Sequence, residues 1–376
     1  MVYQNKILHI TLSLSGGGTE KQIFNLCMAQ KNQGYDVHLI ILKWCNNCQI
    51  LSDKGIIIHF LNLYKYYHLK FLFKIINIQK KINPIVSLSW APTLDFPLFI
   101  ASIINNKKFI INERTSILCY ENFWIKNYKN KLIKISITHN FLIFIIIKIL
   151  RYLSLKFCNA IITNSIHMSN YYQNKFKKKL VYQINNMVIF NQNKDKIYLN
   201  DSFIFLIVSR LVESKNIEIV IESFIKIKKK YKNIKLVIIG NGYYKKNIIN
   251  IIPKEFKYDI DFFEELENWY LKFNPKKSFL IHPSLYEGQP NAVLEASFNN
   301  FPIILSNIPA HSDLFSEDSC LFFNPYSITD LCKKMIYAIN ENEFSKIKRI
   351  NNSKKNINYH SQNFICHQYS KIISLI

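Results

Sequence analysis

The sequence predicts an α/β protein made of two Rossmann-like, doubly wound domains facing a central cleft. Three observations carry this reading. Short β-branched runs alternate with longer stretches of helical periodicity, the rhythm of a parallel sheet covered on both faces. The rhythm breaks once, in the polar, turn-rich "FNQNKDKIYLNDS" of residues 190–202, and then restarts. The 376 residues suffice for two domains of ordinary size. The first domain is placed at residues 1–195 and the second at 203–358. In such folds ligands bind at the C-terminal ends of the strands.

The elements follow in order. "KILHITLSL" reads as the first strand, and "TEKQIFNLCMAQKNQ" as an amphipathic helix with Ile23, Leu26, Cys27 and Gln30 on one face. Gly34 is placed to end that helix. "DVHLIIL" is the second strand. Others are expected at "IIIHFLNL", "PIVSLSW", "KKFIINE", "AIITNS" and "LVYQIN", with intervals long enough for crossover helices. After the break, "FIFLIVS" is a strand and "NIEIVIESFIKIKKKY" a helix. "IKLVIIG" is a strand closing on Gly240-Asn241-Gly242, and "SFLIHPS" and "PIILS" flank a helix from about Asn291. No short-period repeat is present.

Apolar residues make up 49% and charged residues 20%, so a core can form and disorder is excluded. The net charge of +24 is uneven: residues 1–200 hold 26 Lys/Arg against 7 Asp/Glu, and residues 201–376 hold 23 against 18. Between residues 122 and 194 there are twelve Lys/Arg and no acid. A basic face of this kind attracts anionic lipid headgroups, acidic glycans or nucleic acid. The plain alternative is a generic basic surface in a chain rich in Ile, Lys and Asn. No aromatic–basic interleaving or known module supports nucleic acid.

Of the eight cysteines, Cys45 and Cys48 form one "CNNC" with no second pair to complete a zinc site. The N-terminal "MVYQNKILHITLSLSGGG" reads as a strand entering a loop, not as a signal peptide, which points to a cytosolic protein with reduced thiols. The most apolar run is "FLIFIIIKIL" at residues 141–150. Its longest uncharged stretch, 135–147, falls short of the roughly 20 residues that span a bilayer. Buried packing and a helix lying in the membrane interface are both open readings of it.

Three constellations fall on strand ends. Gly16-Gly17-Gly18 opens a helix, where glycine backbone and the helix N-terminus can approach an anion; it matches neither a dinucleotide nor a Walker A loop. "SRLVESKN" supplies Arg210 and Lys215, two cations five apart that can neutralise a diphosphate. The third is "HPSLYEGQPNAVLEASFNN", with Glu287 in a loop and Glu295 one turn inside a helix for which Asn291 is the expected N-cap. Gly288 and Pro290 shape the turn, and with Asn291 and Ala292 they bring backbone to the ligand. Carboxylates repel phosphate but accept hydrogen bonds from sugar hydroxyls, so one acid is expected on sugar hydroxyls and the other on a nucleoside ribose.

These residues carry a resemblance. Glu287 and Glu295, with seven residues between them, lie in "PSLYEGQPNAVLEA"; "SRLVESKN" and "GGGTE" precede them. "VIFN", "LVIIGNG" and "FPIILSNIPAHSDLF" fit in order. The whole resembles retaining glycosyltransferase family 4, the glycosyl transferases group 1, of GT-B fold. The resemblance implies a UDP- or GDP-sugar donor and retention at the anomeric carbon. It implies no metal and no other cofactor, because cations and a helix dipole take the metal's place. Arg210 and Lys215 would stabilise the diphosphate leaving group, Glu295 would bind the ribose, and Glu287 the donor sugar. Gly16, Gly17 and Gly18 would close over the phosphates. Residues 359–376 would be a tail helix packing back on the first, acceptor-binding domain.

Two departures stand out. Where many members carry a His after a first-domain strand, "IINERTS" offers Glu113 and Arg114, a pair found in a subset that builds bacterial surface polysaccharides. Both are candidates on the acceptor or sugar side, against the reading of a structural ion pair. In "NIPAHSDLF" Asp313 stands where the family has Glu. Joined to the basic first half, the resemblance implies a peripheral inner-membrane enzyme. It would extend a polyprenyl-diphosphate-linked glycan in O-antigen, capsule or lipopolysaccharide assembly. A phosphorylase would need a cofactor-lysine motif, and an epimerase would lack these flanks of the two acids.

Overall fold

The computed structural model describes residues 5–62, 69–122, 124–134, 141–189 and 202–376. The interdomain segment expected at 190–202 lies almost wholly outside these residues. The chain forms two compact units. One comprises Met1–Glu121, Ile137–Ile189 and His360–Ile376; the other comprises Asn122–Ser136 and Phe190–Tyr359.

The first unit holds a seven-stranded parallel sheet. Its strands are β1 (Lys6–Thr11), β2 (Asp36–Ile41), β3 (Ile57–Phe60), β4 (Val86–Ser89) and β5 (Phe109–Glu113), then β8 (Ala160–Thr163) and β9 (Leu180–Gln183). Between β5 and β8 the chain makes an antiparallel hairpin of β6 (Trp124–Lys126) and β7 (Leu132–Lys134). The sheet order is β3-β2-β1-β4-β5-β8-β9. The central strands are apolar on both faces, as helices on both sides require: Ile7, Leu8 and Ile10 of β1 are all fully buried. The helix Gly18–Asn32 buries Ile23, Leu26, Cys27 and Gln30, the face expected of it.

The last helix, Gln362–Leu375, places Ile365, Cys366, Tyr369 and Ile372 in the same buried cluster as Ile23 and Leu26. Burying four such side chains contributes roughly 1.5–3 kcal/mol apiece, which fastens the chain end to this unit. Gln362 Nε2 donates to Asn25 O at 3.2 Å, and a bridge joins Val188 to Ser361.

The second unit holds six parallel strands: β10 (Phe203–Val208), β11 (Ile234–Ile239), β12 (Ile260–Phe263), β13 (Ser278–His282), β14 (Ile303–Ser306) and β15 (Leu321–Phe323). Their order, β12-β11-β10-β13-β14-β15, is the doubly wound pattern, with its reversal between β10 and β13.

Three differences from the sequence reading matter. The β6–β7 hairpin was not expected, and its segment groups with the second unit although the chain around it belongs to the first. Tyr128 at its turn packs on the second unit's core, and its hydroxyl donates to Glu222 at 3.0 Å. Buried Ile133 of β7 meets Leu285, and Ile125 meets Tyr286. A single boundary at residue 195 therefore misassigns residues 122–136. Strands β12 and β15 were also missed, at four and three residues too short for a clear period.

The apolar run at 141–150 is the third. It forms the helix Phe141–Phe157, of which Phe144, Arg151, Ser154 and Leu155 are buried. Ile145, Ile146, Ile149 and Phe157 are 39–57% exposed, so core packing does not account for this run. Among the described residues no helix is long and apolar enough to cross a membrane. Cys45 and Cys48 are free thiols with sulfurs 3.5 Å apart, and burial pushes Cys48 up to about 12.

Candidate functional site

The reversal between β10 and β13 gathers the second unit's polar side chains. Arg210 follows β10 and is exposed. The loop then lies against the chain after β11. A Cβ on Gly240, whose φ is +144°, would meet Ser209 O at 1.8 Å, and one on Gly242 would meet Leu211 O at 2.2 Å. Glycine is required at both positions. A 3₁₀ turn, Glu213–Lys215, carries Lys215. Asn216 follows at φ +53°, its side chain donating to Pro325 O at 2.9 Å, and turns the chain into the helix Ile217–Lys228.

After β13 the chain returns to this turn, where the Leu285 N–H donates to Ser214 O at 2.9 Å. That bond sets Glu287 against Lys215. Lys215 Nζ donates to Glu287 Oε1, and Ser284 Oγ donates to the same oxygen at 2.8 Å. Both side chains are mostly buried, at 15% and 13% exposed. Burial alone would raise the Glu287 carboxyl, but Lys215, His282 and the Ser284 hydroxyl outweigh it and hold it at about 2. The two expected cations thus differ: Lys215 is locked to Glu287, while Arg210 is exposed.

Behind Glu287 stand two buried imidazoles. His282 Nε2 lies 3.6 Å from Glu287 Oε1, and His282 Nδ1 lies 3.1 Å from His311 Nε2. His311 Nδ1 lies 2.7 Å from Ser306 O. The sequence reading named neither His; each reads there as an apolar-strand or loop residue.

Glu295 sits in the helix Asn291–Phe298. The N-cap is Pro290, not Asn291 as expected; Asn291 is already in the first turn. Trp269 Nε1 donates to Glu295 Oε2 at 3.1 Å. Trp269 is buried beside Phe301 in a short 3₁₀ turn, within the irregular stretch that the sequence left unassigned. Gly288, Gln289 and Pro290 are buried between the two acids, and Ala292 is half-buried. Asp313 closes the turn Pro309–Ser312.

The other predicted residues lie in the first unit. Gly16 has φ +112° and open space around it. Gly17 caps the helix Gly18–Asn32, and its N–H donates to Glu20, whose carboxylate also accepts from Ser13 Oγ. The expected phosphate-facing amide at Gly17 is thus engaged by the chain's own carboxylate, which satisfies the helix N-terminus locally.

Glu113 and Arg114 do not pair with each other. Alternation along β5 and its exit sends them to different surroundings. Glu113 is 2% exposed and accepts from Arg151 Nη2. Arg151 Nη1 donates to buried Asp95 at 3.2 Å. Arg114 instead donates to Ile184 O and Asn186 Oδ1, both at 3.0 Å, and to the Tyr369 hydroxyl. Its guanidinium lies 5.3 Å from the Trp90 ring centre. A carboxylate as deep as Glu113 needs a partner, and Arg151 supplies it. Arg114 ties the tail helix to β5's exit. Among the described residues no group of three or more His, Cys, Asp or Glu is placed to hold a metal ion.

Comparison with known proteins adds the following. Residues 177–356 match the family model described as glycosyl transferases group 1. The capsular polysaccharide biosynthesis glycosyltransferase CapH of Staphylococcus aureus is 27% identical over 364 residues, 95% of this chain and 94% of that protein. An uncharacterized glycosyltransferase of Methanocaldococcus jannaschii is 27% identical over 243 residues. These span 63% of this chain but only 59% of that relative, less than two thirds of its length. Among solved structures, Anabaena HepE in complex with UDP and glucose has a TM-score of 0.80, covering 99% of this chain and 100% of that one at 14% identity. The fold is GT-B.

Proposed function

We propose that this chain, a glycosyltransferase of GT-B fold, moves a sugar from a UDP- or GDP-sugar to a glycan acceptor with retention at the anomeric carbon. The observation that carries this reading is the pairing of Lys215 with Glu287 at the strand reversal of the second unit. There Lys215 and Arg210 neutralise the departing diphosphate, a task that fixed cations perform in low dielectric without a metal. Backbone of Gly288, Pro290, Asn291 and Ala292 approaches the phosphates. Glu295, oriented by Trp269, accepts from the ribose, and Glu287 accepts from the donor sugar. Glu113 and Arg114 act only indirectly, by holding β5 and the tail helix.

The product belongs to surface polysaccharide synthesis: capsule, O-antigen or lipopolysaccharide. The capsular role printed for CapH supports this. The acceptor is polyprenyl-diphosphate-linked, and the enzyme works from the cytoplasmic face of the inner membrane. Support comes from the exposed apolar face of the helix Phe141–Phe157 and from the basic excess of residues 1–200. Apolar surface beside lysines is what an anionic interface takes up.

The test is transfer from labelled UDP- and GDP-sugars to polyprenyl-diphosphate-linked glycans in anionic vesicles. One donor is expected to yield a labelled lipid with the donor's anomeric configuration. Failure of every donor to transfer or hydrolyse contradicts the reading.

A further inference from the structure

The imidazoles behind Glu287 have a defined proton order. Ser306 O can only accept, so at 2.7 Å His311 Nδ1 carries the proton toward it. Neutral His311 then presents Nε2 as an acceptor, and His282 Nδ1, 3.1 Å away, must donate to it. This leaves His282 Nε2 as a bare lone pair 3.6 Å from Glu287 Oε1. Two acceptors therefore face each other in a site where both rings are buried, at 3% and 0% exposed. The charged groups facing them are Lys215 from its 3₁₀ turn and Glu287 from its loop; Ser284 and Ser306 add hydroxyls.

The arrangement is stable because Lys215 supplies the positive charge. Burial, against the pull of Glu287 and with smaller contributions from His311 and then Lys215, holds His282 at about 3, and burial holds His311 at about 4. Lys215 is also the phosphate ligand of the reading above. It cannot serve Glu287 and a diphosphate in full at once.

We propose that His282, oriented by His311, is a positioning residue that takes one proton from water when Lys215 leaves Glu287. The proton settles between His282 Nε2 and Glu287 Oε1. It makes His282 an imidazolium donor, replaces the lost ammonium, and keeps Glu287 in place for the sugar hydroxyls. No bond other than this N–H forms, and the water or buffer that gives the proton is the only co-reactant.

The experiment is imidazole ¹⁵N–¹H NMR on the full chain at pH 7. In the wild type both rings are expected as neutral Nδ1–H tautomers. In Lys215→Met, with Lys215→Gln as a second variant should the first fold poorly, His282 is expected to carry two N–H protons while His311 stays unchanged. A His282 that remains singly protonated in a folded variant overturns the proposal, as does Nε2–H on either ring of the wild type. UDP and GDP are then added to the wild type; this arm alone rests on the donor reading. A nucleotide that raises Tm and doubly protonates His282 supports the proposal. One that raises Tm and leaves His282 neutral overturns it. If neither nucleotide binds, the donor reading fails, and the Lys215 variants still decide the relay.

Discussion

Lys215 Nζ donates to Glu287 Oε1 across 72 residues of chain, joining the loops that leave β10 and β13. The Leu285 N–H to Ser214 O bond closes the same loops through backbone. The pair is thus built by the sheet reversal itself, and its two members are the cation and carboxylate that the proposed chemistry needs.

Removing Lys215 has two consequences. Transfer by Lys215→Met is expected to fall about a hundredfold or more, the cost of one preorganised charge at a leaving group. Stability is expected to fall by about 3 kcal/mol at pH 7, because protonating buried His282 only partly offsets the loss of the ammonium beside Glu287. The double variant Lys215→Met/Glu287→Gln should regain most of the stability and none of the activity. Initial rates and thermal melts check both; equal melting of single and double variants contradicts the account.

Arg151 serves two buried carboxylates, so one negative charge is left over. Burial, reinforced by Glu113 and only partly offset by Arg151, lifts Asp95 to about 7. An unfolded Asp titrates near pH 4 (about 3.9). Between about 4 and 7 the folded state therefore binds more protons than the unfolded one, and this group's stabilisation is lost as pH rises through that window. Asp95→Asn removes the loss. Its Tm relative to wild type should rise from pH 5 to pH 8; parallel Tm curves would rule the assignment out.

Ile133 of the β6–β7 hairpin packs on Leu285, two residues before Glu287. Ile133→Ala is expected to cost about 2 kcal/mol, the lower end for a truncated buried Ile at a small cluster. It should also speed hydrogen exchange at the Leu285 amide while leaving β10 protected. Unchanged exchange there would mean that the hairpin does not brace the loop.

The helix Phe141–Phe157 predicts a membrane phenotype. The wild type should sediment with phosphatidylglycerol vesicles and release as salt rises. Ile146→Glu/Ile149→Glu should weaken this at least tenfold, since each Ile taken into the interface contributes roughly 1.5 kcal/mol or more. Equal binding of wild type and variant would place the contact elsewhere.

Much of this was legible beforehand. Long apolar runs such as "FIFLIVS" and "IKLVIIG" can only be central strands, and Glu287 and Glu295 stand out because their neighbours are apolar or turn-forming. What stayed hidden depends on distant partners. Nothing local marks Glu113 for Arg151, 38 residues on, or His282 for His311, 29 residues on. Trp269 sits in a 3₁₀ turn without periodicity, so its bond to Glu295 left no pattern to read. The hairpin could not be assigned to the second unit, because its apolar residues Ile125 and Ile133 would suit either core.

The most direct test of the central claim is donor binding: thermal shift of the purified chain against a panel of UDP- and GDP-sugars, with Glu295→Ala and Arg210→Ala beside it. The account predicts that one nucleotide class raises Tm in the wild type and in neither variant. No shift with any donor, in a protein that melts cooperatively, would contradict it.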